Sequence, residues 1–402
     1  EFDYYLGDWY YYLVNNMARS QAIVARRRKG KTAFLERLFN ILWSCSESKV
    51  IPFFYVMQER QITLASFAKD FFATFVSHYL SFLTRNKDWV LSPLNYMEMK
   101  KYITQYPDLY KKSISIDEFE KTGNWDLMWS VARRTPFDIA VSTGVKVVQI
   151  IDEFQNINAY IVNERGKTID SMSGAYRDLA ERKEAPLIVS GSEVHRLEIL
   201  CRLTAGFAEN VLENLPEEEA KEAVWKYAQA TDTRIDEHAV EKIWNLTQGD
   251  PLYLKALFLT RYNDTQDYTN EDNIVATYTQ EITRGEIYGI WGEYIAAFFL
   301  EANERDAKRI MLYLFQAGEE RTRAQIIKDL KLDMTDDELE TKLQKLIKAD
   351  LISQGETNFD YKIEKDKTYE LVFRRLFQEE IDNCIPDIRK ELRQEMDGNA
   401  KL

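Results

Sequence analysis

The chain is poor in the residues that build disulfide frameworks, metal centres and hydrolase triads. Cysteine occurs only at Cys45, Cys201 and Cys384 in 402 residues. Three cysteines so far apart give neither a disulfide pattern nor a metal-ligand spacing, and a reducing, cytoplasmic setting is expected. His78, His195 and His238 are isolated, so no Ser-His-Asp or Cys-His arrangement and no zinc spacing can be drawn. A scattered histidine reads first as a surface or satisfied core residue. Long apolar runs are missing too. The most apolar stretches are broken by Lys69 and Asp70 and, within residues 287–300, by Glu293, so no transmembrane helix is expected. Basic charge is in deficit, with 53 Lys and Arg against 66 Asp and Glu, a formal net charge of -13. Neutralising phosphates takes clustered cations, so this balance excludes a general polyanion binder and leaves DNA possible only through a local patch. The chain begins at Glu1 rather than Met, which leaves a removed N-terminal segment open.

What is present is apolar material for two or three packed units, with 45% hydrophobic residues over a length beyond one ordinary core. The first half alternates between two periodicities. Residues 20–25 (SQAIVA) form a short apolar run ending in a basic turn. Phe34, Leu35, Leu38, Ile41 and Leu42 then recur at helical spacing. Residues 50–57 read as a strand, followed by a long helical region from about Ile62 to Tyr110 whose aromatics are assigned to packing. Residues 145–151 (VKVVQII) are β-branched and nearly continuous, as expected of a strand buried on both faces of a parallel sheet, and run directly into Asp152-Glu153. Residues 187–189 repeat the theme and end in Ser190-Gly191-Ser192. Residues 211–215 are a weaker fifth candidate before Pro216, after which Glu217, Glu218 and Glu219 fill a first helical turn. Strands separated by helices predict an α/β fold with a parallel sheet.

The segment Ala25-Arg26-Arg27-Arg28-Lys29-Gly30-Lys31-Thr32 matches the phosphate-binding pattern G-x-x-x-x-G-K-[ST] except at its first position, where Ala25 replaces glycine. In that pattern backbone N–H groups cradle phosphates, the lysine neutralises β/γ oxygens and the hydroxyl ligates Mg²⁺. By itself half a motif reads equally well as a basic turn. Its context carries the functional reading: it follows a strand, opens a helix through Ala33, and is answered by a strand ending in two acids. Asp152 is then the Mg²⁺ ligand through water, and Glu153 the base that orients the attacking water. The alternative for Glu153 is a surface acid beside a ligand.

With these motifs the sequence resembles the STAND ATPases related to the AAA+ class, in particular the prokaryotic group called archaeal-type ATPases. The likeness spans about residues 20–375. It rests on the run Arg26-Arg27-Arg28, on Ile150-Ile-Asp-Glu-Phe-Gln155 as the acidic strand, and on Ile188-Val-Ser-Gly-Ser192 as the strand after it. The resemblance implies an ATPase with ATP and Mg²⁺ as ligands, Ser190 (or, second, Ser192) sensing the γ-phosphate, and Gly249-Asp250-Pro251 as a lid element in which Pro251 contacts the nucleotide. Where the family often carries Gly-Arg as an arginine finger this chain has Gly206-Phe207, so Arg196 or Arg202 would have to substitute. Slow turnover is expected.

Residues 217–284 are helical in pattern, with Trp225, Tyr227, Val240, Ile243, Trp244 and Leu246 as apolar faces, and read as a lid. Helices over 307–316 and 322–330, a capping box at Thr335–Glu338 opening a third helix to Ala349, and a hairpin over 351–363 read as a winged helix. The third helix opens on Asp336, Asp337 and Glu338, the opposite of what base edges and phosphates require. The tyrosine-rich opening reads as a helix packed on the core, and residues 388–396 as an exposed tail. The expected architecture is thus an α/β P-loop core (1–215), a helical lid (216–300), a winged-helix domain (301–375) and a C-terminal helix (376–402). The expected function is an ATP-driven switch read by a protein partner or another copy of the chain, with no membrane role. A DNA-engaging ATPase resembling replication initiators or transposition regulators is the alternative, and a non-hydrolysing scaffold the third possibility.

Overall fold

The computed structural model describes residues 5–25, 29–45, 49–169, 172–192, 207–259, 266–302, 305–357 and 359–397. It divides into two compact units, Glu1–Leu212 and Glu213–Leu402.

The first unit is built on five parallel strands: β1 (Ser20–Ala25), β2 (Val50–Val56), β4 (Lys146–Asp152), β6 (Leu187–Ser192) and β7 (Phe207–Val211), in the order β2-β4-β6-β1-β7. The short pair β3 (Ile62–Thr63) and β5 (Ile161–Val162) lies outside this sheet. Strand periodicity sends alternate residues to opposite faces. Ile23, Val148, Ile150 and Ile188 share a core with Trp9, with Leu13 of α1 (Tyr10–Val14) and with Leu35 and Leu38 of α2 (Lys31–Ser44). Ala22, Ile51, Phe53, Val147, Ile151 and Val189 belong to a second core with α3 (Leu64–Thr84) and α5 (Trp125–Thr143), where Phe53 meets Phe71 edge-on at 5.0 Å. An apolar layer on each face explains the continuous apolar composition of β1 and β4. Buried polar groups set the register: the Ser20 hydroxyl donates to Ala180 O at 2.7 Å and accepts from Leu187 N at 3.0 Å.

The structure revises two sequence-based expectations here and keeps a third. The region from Ile62 to Tyr110 is not one helix. It opens with β3, continues as α3, breaks into single turns at Asp88–Leu91 and Tyr96–Met99, and resumes as α4 (Pro107–Thr122) and then α5. The fifth strand lies at Phe207–Val211 rather than 211–215, because its pairing partner β1 ends at Ala25 and the ladder closes with Leu212 N donating to Val24 O at 2.8 Å. The tyrosine-rich opening does cover the core with Tyr5, Trp9 and Leu13, while Tyr11 and Tyr12 remain exposed.

The second unit is helical, comprising α6 (Glu217–Thr231), α7 (Glu237–Thr247), α8 (Pro251–Leu259), α9 (Glu271–Arg284), α10 (Glu286–Ala302), α11 (Arg305–Ala317), α12 (Arg323–Leu330), α13 (Asp336–Lys348), α14 (Lys367–Asp382) and α15 (Ile388–Met396). Strands β8 (Arg321–Thr322), β9 (Ser353–Gln354) and β10 (Asp360–Lys362) form an antiparallel sheet in the order β8-β10-β9. The capping boxes at Thr322 and Thr335 are both closed. Helix α15 is not an exposed tail: Ile388, Leu392 and Met396, four residues apart, are buried in the core of this unit, and Glu391 pairs with Arg374 at 2.7 Å. Among the described residues no helix is long and apolar enough to cross a membrane.

Gly249 has φ +72, and a Cβ there would lie 2.3 Å from Leu215 O. Gly318 has φ +64 with open space around its Cβ position. Gly249→Ala should therefore lower stability by about 2–4 kcal/mol, from backbone strain plus steric overlap, and Gly318→Ala by only about 1–2 kcal/mol. Urea unfolding of the two variants checks this, and equal losses would refute the steric term. A second expectation concerns His78, whose Nδ1 accepts from Phe54 N at 3.2 Å. Burial pushes its imidazolium down to about 3 from the ordinary 6.5. The unfolded chain then binds more protons between these values, so the contribution is fully present above 6.5 and is lost as pH falls toward 3. His78→Gln should flatten the loss of stability between pH 7 and pH 5; the same slope in both proteins would refute it.

Candidate nucleotide-binding site

Ala25, Lys31, Thr32, Asp152, Glu153 and Ser190 come together at the C-terminal edge of the sheet, where open α/β sheets place their ligands. Ala25 is fully buried and ends β1 as a paired strand residue, opposite Ser192, so glycine's conformational freedom is not required there. Arg26, Arg27 and Arg28 lie outside the described residues. Lys29 is buried, and Gly30 takes φ +79 to turn the chain into α2. Lys31 is the first residue of that helix, buried, with Nζ donating to Ala25 O at 3.2 Å. Thr32 and Ala33 follow in its first turn, where backbone N–H groups lack intrahelical partners and the dipole favours an anion.

Asp152 joins the elements. Its carboxylate, 1% exposed at the end of β4, accepts the Thr32 hydroxyl on Oδ2 at 2.6 Å. Its Oδ1 accepts the Ser190 hydroxyl and Glu153 N, the latter at 3.0 Å. Ser190 pairs with Ile23 across the sheet, and its Oγ also lies 3.3 Å from Glu153 N as an acceptor. Ser192 is placed on β6 by its backbone.

Glu153 has φ +51, a left-handed conformation uncommon for any residue but glycine, and its N–H is held here by those two acceptors. The turn takes Glu153 out of the strand direction, leaving it half-buried next to the buried Asp152. Gln155 Nε2 donates to Glu153 Oε2 at 2.5 Å. Sequence reasoning quoted Gln155 only as part of a motif and gave it no role.

Among the described residues no group of three His, Cys, Asp or Glu could hold a metal by itself. A hydroxyl and a carboxylate oxygen 2.6 Å apart do fit Mg²⁺, which takes oxygen ligands and commonly keeps waters and phosphate oxygens in its shell. The donor set therefore fits a Mg²⁺-nucleotide. Pro251 lies in the second unit at the first position of α8, where proline suits a helix start, with the Asp250 carboxylate accepting from Leu252 N at 2.8 Å. Gly249-Asp250-Pro251 is thus a close-approach glycine, a capping acid and a helix-opening proline. Arg196, Arg202 and Gly206 lie outside the described residues, and Phe207 opens β7.

No family model matches the sequence, and no curated protein matches it significantly. Solved structures similar to it include the ORC2 protein of Aeropyrum pernix in ADPNP-ADP complexes, 12% identical, with 91% of this chain and 90% of that one covered at a TM-score of 0.47. Cdc6p of Pyrobaculum aerophilum is 11% identical over 94% and 93% at a TM-score of 0.31. The RuvB Holliday junction branch migration motor of Thermotoga maritima is 13% identical over 90% of each chain at a TM-score of 0.35. Likeness of this size leaves the reading of the site to its own geometry.

Ser190→Ala removes one donor to a buried carboxylate and one acceptor for a strained backbone N–H. It should destabilise the first unit by about 1–3 kcal/mol. Chemical denaturation followed by amide hydrogen exchange in the strands of that unit measures this, and unchanged protection would show that the Ser190 bonds are dispensable.

Proposed function

We propose that the chain is an ATP-binding, slowly hydrolysing switch of the STAND/AAA+ class. The observation that carries this reading is the 2.6 Å bond between the Thr32 hydroxyl and the buried Asp152 carboxylate, which joins the first turn of α2 to the acidic end of β4. Backbone groups of Ala25 to Ala33 would receive the phosphates, with Lys31 neutralising their β/γ oxygens and the basic run Arg26–Lys29 adding positive charge. Thr32 and Asp152 would hold Mg²⁺, which when bound supplies charge neutralisation at the phosphates. Glu153 would take a proton from the attacking water, and Ser190 would report the γ-phosphate to the sheet. The nucleotide contact that the resemblance implies for Pro251 belongs to the same proposal. So do the lid role of α6–α10 and the assignment of α11–β10 as a winged helix. Phe207, at the position where the family carries an arginine, motivates slow turnover, and with it a state difference read by a protein partner or another copy.

A second reading, a DNA-engaging ATPase, is favoured by the three helices and antiparallel sheet of residues 305–362. Against it stand Asp336, Asp337 and Glu338 in the first turn of α13 and the pairing of Arg323 with Asp336 and Glu340. Duplex binding that weakens steeply with salt would move this reading ahead.

For the ATPase reading, Lys31→Ala should abolish Mg-ATP binding. Glu153→Gln should keep the ligand while losing about 10²–10⁴-fold in turnover. Equilibrium nucleotide binding and phosphate release on the purified chain check both, and a wild type that binds no Mg-ATP would leave only a scaffold.

A further inference from the structure

We infer that Gln155 is a positioning residue that restrains the Glu153 carboxylate and so sets how it meets the attacking water. The inference rests on the ATPase reading above. Gln155 is 8% exposed, and its Nε2 donates to Glu153 Oε2 at 2.5 Å. Its Oε1 is buried and has no partner among the described residues. Turning the amide over would place that oxygen against a carboxylate oxygen, acceptor against acceptor, so the bond to Glu153 fixes the orientation.

The surroundings leave this amide little freedom. Glu153 is pinned by its N–H to Asp152 and Ser190 and by its carbonyl, which accepts Asn156 N at 2.9 Å. Gln155 precedes a single helical turn, Asn156–Ala159, that is itself tied down: Asn156 Nδ2 donates to Met57 O at 3.0 Å and Asn158 Nδ2 to Ser173 Oγ at 2.8 Å. The side-chain torsions of Glu153 are then the remaining freedom, and the amide removes it by occupying Oε2. Oε1 is the oxygen left to accept a proton. In the reaction, water gives that proton to Oε1, its oxygen bonds to the γ-phosphorus, and the bond from that phosphorus to the β,γ-bridging oxygen breaks to release ADP.

The test uses the full chain with Gln155→Met, close in volume but without a donor, alone and combined with Glu153→Gln. Thermal unfolding first establishes that each variant folds. Gln155→Met should lower kcat about 10- to 100-fold, as loss of orientation does, with KM and the ATP dissociation constant within about twofold of wild type. In the Glu153→Gln background the same substitution should change kcat no further. Wild-type kcat in Gln155→Met, or an undiminished loss in the Glu153→Gln background, would overturn the inference while leaving the ATPase reading intact. A wild type without turnover would sink both, and that failure is recognisable because it needs no variant.

Discussion

A single buried carboxylate organises the first unit. Removing Asp152 from water carries a desolvation cost of several kcal/mol unless its oxygens are hydrogen-bonded, and the chain meets that requirement with groups from three separate elements. Thr32 comes from the first turn of α2, Ser190 from β6, and the N–H of Glu153 from the turn that ends β4. These residues can satisfy the carboxylate only if β1, β4 and β6 keep their register and α2 starts where Gly30 turns the chain. The electrostatic requirement and the sheet geometry therefore reinforce each other, and the same groups that satisfy the acid suit a divalent cation beside a phosphate.

The two apolar layers supply the rigidity this arrangement needs. One face of the sheet is covered by α1 and α2, the other by the aromatic α3 and by α5, and the apolar residues from Val147 to Ile151 alternate between the two cores, with Gln149 the polar residue among them. That glutamine is fully buried and donates to Ala185 O at 2.9 Å, holding the segment that leads into β6. Ser20 does the same from β1. Buried polar groups of β1 and β4 thus fix the approach of β6, which carries Ser190 further along.

Much of this was legible in the sequence because the strongest strands are buried on both faces and end in chemically distinctive residues. The runs of β1, β4 and β6 stand out as apolar, and Gly30-Lys31-Thr32 and Asp152-Glu153 mark where they stop. The weaker elements hide for physical reasons. Residues of β7 are only half-buried, so Phe207–Val211 lacks the apolar signature that moved the expectation to 211–215. Helix α4 buries little beyond Leu109, Ser113 and Ile116, and α5 carries Pro136 in its interior, a residue that argues against a helix. In α15 the charges outnumber the stripe of Ile388, Leu392 and Met396 that anchors it. Gln155 was visible as a letter, but its aim depends on the left-handed turn at Glu153, a conformation that glutamate does not advertise. The roles of the site residues are chemical expectations set on this frame.

The position of Ala25 bears on how such sites diverge. Because residue 25 closes a strand and is wholly enclosed, selection there acts on side-chain volume rather than on backbone freedom. A methyl group is tolerated, and a larger substituent would have to displace the core beneath it. In this chain the first position of the phosphate-binding pattern therefore does not call on glycine's freedom, whereas Gly30 at positive φ is held by the turn itself. Two positions that look equivalent in a pattern are thus under different physical constraints, one of volume and one of backbone conformation.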